Sequence, residues 1–170
     1  RQMRPQAHRF GNHVVGVIDG GTNTLDTLIT VGSLPFRISG NPASDRAYVA
    51  EYPASLYAPG RLFALDVAVD SMIGEIEGTH HPHALAIDTV LNLLWVTSDT
   101  DFVYIVDGNT NSVVDSVWIG SPSWGTCRDH SLNRTYVTYA NKLFFIESGS
   151  VVDTLTLGTW LEDLDANEST

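Results

Sequence analysis

Short apolar runs alternate with polar, glycine-rich breaks along the whole chain. The runs are four to seven residues long and contain many valine, threonine, tyrosine and tryptophan residues, which are side chains that favour strands. No long segment shows the 3.6-residue period of an amphipathic helix. The pattern therefore predicts an all-β protein built from many short strands.

An internal repeat of about 40 residues organises these predicted strands. An acidic residue ends one apolar run in each unit, with separations of 47, 41 and 40 residues, at Asp19, Asp66, Asp107 and Glu147. A second marker is a strand of the type Tyr-Val-Thr, which begins at Tyr48, Trp95 and Tyr136. A third marker is the glycine that ends each unit's last strand, at Gly32, Gly78, Gly120 and Gly158. Agreement among three markers indicates a true structural repeat.

Each unit divides into four apolar runs separated by turns, as in "FVYIVD-GNTN-SVVDSVWIG-SPSW-GTCRD-HSLN-RTYVTYA". Four strands per repeat of about 40 residues are typical of the blade of a β-propeller, in which neighbouring blades cover each other's faces. We therefore predict one propeller segment of four-stranded antiparallel blades over residues 1–170. After a link from a preceding blade at 1–12, the units run over 13–60, 61–101, 102–141 and the incomplete 142–170.

The units amount to just under four blades. A small closed ring of four blades is one interpretation, and the preferred one is part of a larger ring, either as a fragment or as one half of a dimer. An open arc exposes strand edges and blade faces, which predicts association with a protein partner, with further blades of the same polypeptide or with a second copy.

The phrases "DGGTN" and "DGNTN" recur between the third and fourth strands of two units. Asp, Gly and Asn supply the positive-φ positions and the side-chain-to-backbone hydrogen bonds of a tight turn. The other two units replace the phrase freely with "DVAVDS" and "ESGS". We therefore interpret it as a structural turn rather than a calcium loop.

Three recurring phrases carry a family resemblance: "AYVA", "LWVT" and "TYVT" in one strand, "VIDGGTNTL" and "IVDGNTNSV" in the next hairpin, and "VGSLP", "EGTHHP" and "IGSPS" in the following link. Over residues 14–165 the chain resembles the YVTN family of β-propeller repeats. The resemblance implies that the strand after the glycine-to-proline link is innermost and that the strand ending in glycine is outermost. It also implies that links after the second and fourth strands lie on the face where the central channel opens.

The resemblance places the residues after each proline position at the mouth of the channel. These residues are Phe36, Arg37, His83, Trp124, Glu162 and Asp163. Aromatic, imidazole, guanidinium and carboxylate groups around one opening suit a small ligand or a glycan. The competing interpretation is a channel lining that holds mixed polar groups around water.

Three histidines crowd the link "GTHHPH". His80, His81 and His83 are candidate metal ligands, but the first two are adjacent and point in different directions on an extended link, and no Asp or Glu stands at ligand spacing. The preferred interpretation is a solvated polar link. No cofactor is expected.

Evidence for catalysis in the sequence is limited to one pairing. His83 with Glu162 or Asp163 would give the acid and base that a lyase requires. No nucleophile elbow, zinc-protease motif or phosphate loop occurs. A non-catalytic role is therefore favoured.

Composition narrows the classes of partner. The net charge of −11 and the single lysine, Lys142, argue against nucleic acid. The single Cys127 excludes an intrachain disulfide, and no apolar stretch approaches the roughly 20 residues of a membrane span. Two sequons predict glycosylation, at Asn133 and Asn167.

The functional prediction is an extracellular or cell-surface propeller module, or alternatively a periplasmic one, that serves binding or structural assembly. This location follows from the resemblance, since surface-layer proteins and other exported binding propellers look similar. The first alternative is a propeller enzyme, a lyase or an oxidoreductase subunit, with its site at the channel mouth. The second is an intracellular protein-interaction propeller.

Overall fold

A computed structural model describes residues 13–52 and 59–166, which form an all-β chain. The strands are β1 (Val14–Asp19), β2 (Thr24–Thr30), β3 (Pro35–Asn41), β4 (Arg46–Glu51), β5 (Arg61–Asp66), β6 (Ser71–Ile76), β7 (Pro82–Asp88), β8 (Leu93–Ser98), β9 (Phe102–Asp107), β10 (Ser112–Trp118), β11 (Thr126–Asp129), β12 (Arg134–Tyr139), β13 (Lys142–Glu147) and β14 (Ser150–Thr156). None of the described residues belongs to a helix that could span a bilayer.

The strands form three antiparallel four-stranded sheets and one two-stranded hairpin. Blade 1 is β3–β6, blade 2 is β7–β10 and blade 3 is β11–β14, each with its strands in chain order, while β1 and β2 pair only with each other among the described strands. The first strands of successive blades, β3, β7 and β11, contact one another. This arrangement is that of a β-propeller, so the predicted fold is confirmed. Each four-stranded sheet takes its strands from two successive units of the sequence repeat. The boundaries of those units stay a prediction.

Apolar packing between neighbouring sheets supplies the core. The three buried clusters lie between β1–β2 and blade 1 (Val17, Ile29, Val31, Ala47, Val49, Phe63, Leu65), between blades 1 and 2 (Tyr48, Leu62, Ala64, Ile76, Leu94, Val96, Tyr104, Val106), and between blades 2 and 3 (Ala86, Trp95, Val103, Ile105, Val117, Ile119, Val137, Phe144, Ile146). The second and third strands of blades 1 and 2 are buried on both faces, which explains why they read as continuous apolar runs. Stability therefore depends on contacts between blades.

The outer hairpin of every unit contains the same irregularity. The register shifts by one residue in β1–β2, β5–β6, β9–β10 and β13–β14, where the extra residues are Asp26, Ile73, Val114 and Val152. A bulge of this kind increases the local twist of a strand pair. Its recurrence shows that the backbone repeats even where the side chains differ.

The turn "DGGTN" has the local structure that the sequence predicted. The Asp19 carboxylate accepts the amide hydrogens of Gly21 at 2.7 Å and Thr22 at 3.1 Å, and Asn23 has a φ of 57°. In the second copy the Asp107 carboxylate accepts the amide of Asn109 at 2.7 Å. These carboxylates bind their own backbone, so the phrase is a structural turn.

The glycine after the first unit's outer strand is required for steric reasons. Gly32 has a φ of 36°, and a Cβ at this position would overlap the carboxylate of Glu51. That carboxylate accepts the amide hydrogens of Ser33 and Leu34 and the Nε hydrogen of Arg61. The absence of a side chain at Gly32 therefore leaves room for the buried Glu51 carboxylate, which binds the backbone of the link that leads to the innermost strand.

Candidate functional site at the channel mouth

Most of the residues predicted at the channel mouth come together in space. Phe36, Arg37, His83, Trp124 and Glu162 line one cavity of about 320 Å³ together with Trp160. These six residues are called the mouth site below. Asp163, the other predicted residue, lies at the rim, with its carboxylate 3.9 Å from the Arg37 guanidinium.

Irregular pairing at the start of the innermost strands positions these side chains. The register shifts between Pro35 and Arg37 in blade 1 and between Pro82 and Leu85 in blade 2. Phe36 and His83 fall within these shifts. A bulge redirects a side chain out of the regular alternation of the strand, so the residue after each proline is free to face the cavity.

The threonine of the Tyr-Val-Thr strand stabilises this irregular backbone. In blade 2 the Thr97 hydroxyl accepts the amide hydrogen of Ala84 at 2.8 Å, and in blade 3 the Thr138 hydroxyl accepts that of Gly125 at 3.0 Å. Blade 1 has Ala50 at this position, which has no hydroxyl. The repeat motif therefore contributes directly to the shape of the mouth.

A row of aromatic rings crosses the mouth. Ring centroids are 5.9 Å apart for Phe36 and Tyr52, 6.3 Å for Tyr52 and His83, and 4.6 Å for His83 and Trp124. The guanidinium of Arg37 lies 5.2 Å from the Phe36 ring centroid, a cation–π distance. Adjacent blades are thus joined at the mouth by side-chain stacking.

His83 is held by a residue that the sequence analysis did not name. Its side chain is 4% exposed, and Nε2 lies 2.7 Å from Oδ1 of Asp99. The other ring nitrogen, Nδ1, is buried and has no hydrogen-bond partner among the described residues. His83 therefore pairs with Asp99, rather than with Glu162 or Asp163 as the acid–base hypothesis required.

The three histidines of the "GTHHPH" link do not converge. His80 packs against Tyr104, with ring centroids 6.2 Å apart, while His83 faces Asp99 and Trp124. His81 adopts a φ of 48°, which turns the chain between them. Within residues 13–52 and 59–166, no three His, Cys, Asp or Glu side chains are close enough to hold a metal ion, so the geometry gives the metal hypothesis no support.

Three residues of the mouth were not predicted as site residues. Tyr52 and Asp99 lie in links that follow a second strand, and the resemblance already placed such links on the channel face. Trp160 lies two residues before Glu162 in the last link. Position relative to the repeat would have identified all three, whereas residue type alone did not.

A second cavity, of about 390 Å³, lies between blade 3 and the segment that follows it. Its lining includes Cys127, Tyr136, Leu143, Leu161 and Leu164. Burial, with help from the carboxylates of Asp165, Asp129 and Asp163, raises the pKa of the Cys127 thiol to about 11. The thiol is therefore protonated at neutral pH and is a poor nucleophile.

One of the two predicted glycosylation sites lies within the described residues. Asn133 is exposed in the β11–β12 hairpin with a φ of 52°. Asn167 lies outside the described residues. Glycosylation of either residue stays a prediction.

Comparison with known proteins identifies the fold. No protein-family model matches the sequence, and no curated protein matches it. Among solved structures, hydrazine synthase of Kuenenia stuttgartiensis is 18% identical over 74% of this chain and 36% of that chain, with a TM-score of 0.64. A chain of the mitotic checkpoint complex is 15% identical over 90% of this chain and 48% of its own length, with a TM-score of 0.75.

Both of these proteins contain propellers. The present chain spans about a third of the length of one matched chain and about half of the other. At sequence identities of 18% and 15%, the similarity is one of backbone fold alone. Together with the blades described above, it shows that the chain has the β-propeller fold.

Proposed function

We propose that this chain is a non-catalytic binding module that holds a small ligand or a glycan at the mouth site. Membership of the YVTN type and an extracellular or cell-surface location are part of the proposal, and both rest on the sequence resemblance. The main support for a binding role is that the predicted residues converge on one cavity. Five residues chosen by their place in four separate units line a single cavity.

The size and chemistry of the cavity support binding. A volume of about 320 Å³ lies at the small end of the range of ligand pockets, which is roughly 300–1,000 Å³. Exposed aromatic rings beside a guanidinium and a carboxylate combine stacking surfaces with orienting polar groups.

The accessibility of the reactive groups favours binding over catalysis. A general base must reach the proton that it removes, and the free nitrogen of His83 is buried. The Cys127 thiol is buried and protonated. An enzymatic role would therefore require the mouth to open around His83.

Replacement of Trp124 tests the mouth site. Trp124→Leu removes the ring that stacks on His83 and is expected to weaken ligand binding by about fivefold or more, since the stacking surface is lost. Binding is measured by titration calorimetry after a screen of neutral glycans and amino-acid amides by tryptophan fluorescence. Trp118→Leu is the matched control, because Trp118 is 65% exposed on the outermost strand β10. Equal affinities of the two variants would contradict the proposal.

The outer face of blade 3 also favours assembly of this chain with a second copy. In blade 2 the side chains of Trp95, Val103, Ile105 and Val117 are buried against blade 3. The equivalent residues of blade 3 are only half-buried or, in the case of Leu155, exposed; they are Tyr136, Leu143, Phe145 and Leu155. We infer that this face packs against a blade of a second copy, as the faces between the described blades 1, 2 and 3 pack against each other.

Light scattering tests this association. The chain is expected to show a mass above that of the monomer that rises with concentration, because the segment after β14 covers only part of the apolar face and the assembly would cover the rest. Leu155→Glu places a charge on this face and is expected to return the monomer mass. Val90→Glu, at an exposed hairpin position between β7 and β8, is the control. A monomer at every concentration would exclude assembly through this face.

A further inference from the structure

Aromatic faces remain available at the mouth site. Trp124 is 40% exposed and Trp160 is 60% exposed, and both line the cavity. The His83 ring contacts Trp124, with ring centroids 4.6 Å apart and an interplanar angle of 33°. Aromatic rings beside a cavity offer the negative potential of their π-electrons to a ligand.

The two basic side chains at the mouth already have acidic partners. Arg37 lies 3.9 Å from Asp163 and over the Phe36 ring, and His83 is paired with Asp99. These acidic neighbours lower the positive potential that would attract an anion.

The carboxylate of Glu162 is different. It lines the cavity, and within the described part of the chain no ion pair or hydrogen bond engages it. The net charge of −11 over the whole chain adds a field that draws cations toward such a carboxylate. The local charge of the mouth therefore favours a positively charged ligand.

We propose that the mouth site binds an organic cation, a guanidinium or quaternary ammonium group, between the tryptophan rings and the Glu162 carboxylate. This inference rests on the proposed binding function and names the ligand class. A cation within about 6 Å of a tryptophan face is attracted by the ring, and a carboxylate within contact distance adds a charge-assisted interaction. The cavity of about 320 Å³ accommodates the head group of an arginine side chain or a trimethylammonium group.

Two other ligand classes fit less well. An anionic sugar or phosphate would have to displace Asp163 from Arg37 and would be repelled by Glu162. A neutral sugar would stack on the tryptophan rings but would make no use of the charge. The three classes predict different responses to ligand charge and to salt.

The experiment compares charged and uncharged ligands of the same shape. Nα-acetyl-arginine amide, tetramethylammonium chloride and Nα-acetyl-citrulline amide are titrated into the full chain, with methyl glucoside and glucuronate as the neutral and anionic sugars. Tryptophan fluorescence and titration calorimetry report binding at low and high salt. We expect saturable binding of the two cations, at least tenfold weaker binding of the citrulline compound, and a loss of affinity as salt rises.

Glu162→Gln tests the carboxylate without removing a tryptophan. It is expected to weaken cation binding by about tenfold and to flatten its salt dependence. Glu77→Gln is the control, because Glu77 is an exposed glutamate that does not line the cavity and the chemical change is identical. A change in affinity for Glu162→Gln no larger than that for Glu77→Gln would overturn the role of Glu162.

The outcomes separate the ligand class from the binding function. Saturable binding of methyl glucoside or glucuronate that is lost in Trp124→Leu, with no binding of either cation, would overturn the cation proposal and keep the mouth site. Equal affinity for the arginine and citrulline compounds would also overturn it. No saturable binding of any probe would overturn both the ligand class and the proposed function.

Discussion

Replacing Leu94 with alanine is expected to lower the free energy of unfolding by about 3 kcal/mol. Leu94 lies on β8 and is fully buried in the cluster between blades 1 and 2, with Tyr48 and Leu62. The substitution removes apolar surface and leaves a cavity between two sheets that cannot easily collapse, because each sheet is held by its own hydrogen bonds. Urea denaturation followed by circular dichroism measures the effect.

Leu91→Ala is the matched control for this prediction. Leu91 lies three residues earlier in the β7–β8 hairpin and is 57% exposed. Its replacement is expected to change the unfolding free energy by less than about 0.5 kcal/mol. Similar midpoints for the two variants would show that packing between blades does not dominate stability.

Replacing Asp88 with alanine is expected to cost about 3 to 5 kcal/mol, because it leaves a buried arginine without its counter-charge. Asp88 ends β7, and its Oδ2 accepts the Nε hydrogen of Arg128 on β11 at 3.1 Å. Both side chains are buried. Asp88 Oδ1 also accepts the amide hydrogens of Val90 and Leu91 at 3.0 and 2.9 Å. This carboxylate therefore ties blade 2 to blade 3.

The control for Asp88→Ala is Asp66→Ala. Asp66 accepts the amide hydrogen of Ala68 at 3.0 Å and a hydrogen bond from Arg46 at 2.8 Å. It performs the same two roles within a single blade, at a partly exposed position. The expected cost is about 1 kcal/mol, and the difference between the two variants measures the burial of the arginine. Equal costs would contradict a special role for the pair between blades.

The lowered pKa of the Asp88 carboxyl leads us to expect a loss of stability in acid. Burial raises the pKa of Asp88, but the amide of Leu91 and the Arg128 guanidinium outweigh that effect and hold the pKa below its ordinary value. A carboxyl whose pKa is lower in the folded chain stabilises the fold above the unfolded-state pKa of about 3.9, and this contribution is lost as the pH falls through the folded value. Thermal unfolding between pH 7 and pH 2 should therefore show a smaller decline for Asp88→Asn than for the wild-type chain.

The sequence by itself determined the repeat and the elements within it. Asp19 and Asn23 form their turn from neighbouring atoms, and the apolar run of β8 is buried on both faces as its composition predicts. Turn chemistry and strand alternation act over a few residues, so one copy of the repeat contains the information for one hairpin. The repetition of the pattern then indicated the propeller, and the family resemblance placed residues of each unit at its mouth.

Only the tertiary structure decided which side chains meet. Arg37 lies in β3 and Asp163 in the segment after β14, far apart along the chain, yet their charged groups are 3.9 Å apart. His83 takes Asp99 as its partner, and Trp160 completes the cavity. These contacts depend on the angle between blades, which is set by how the buried clusters fill the space between the sheets. That packing is a property of the assembled chain, so the repeat and the family resemblance predicted which residues surround the mouth but not which of them pair with each other.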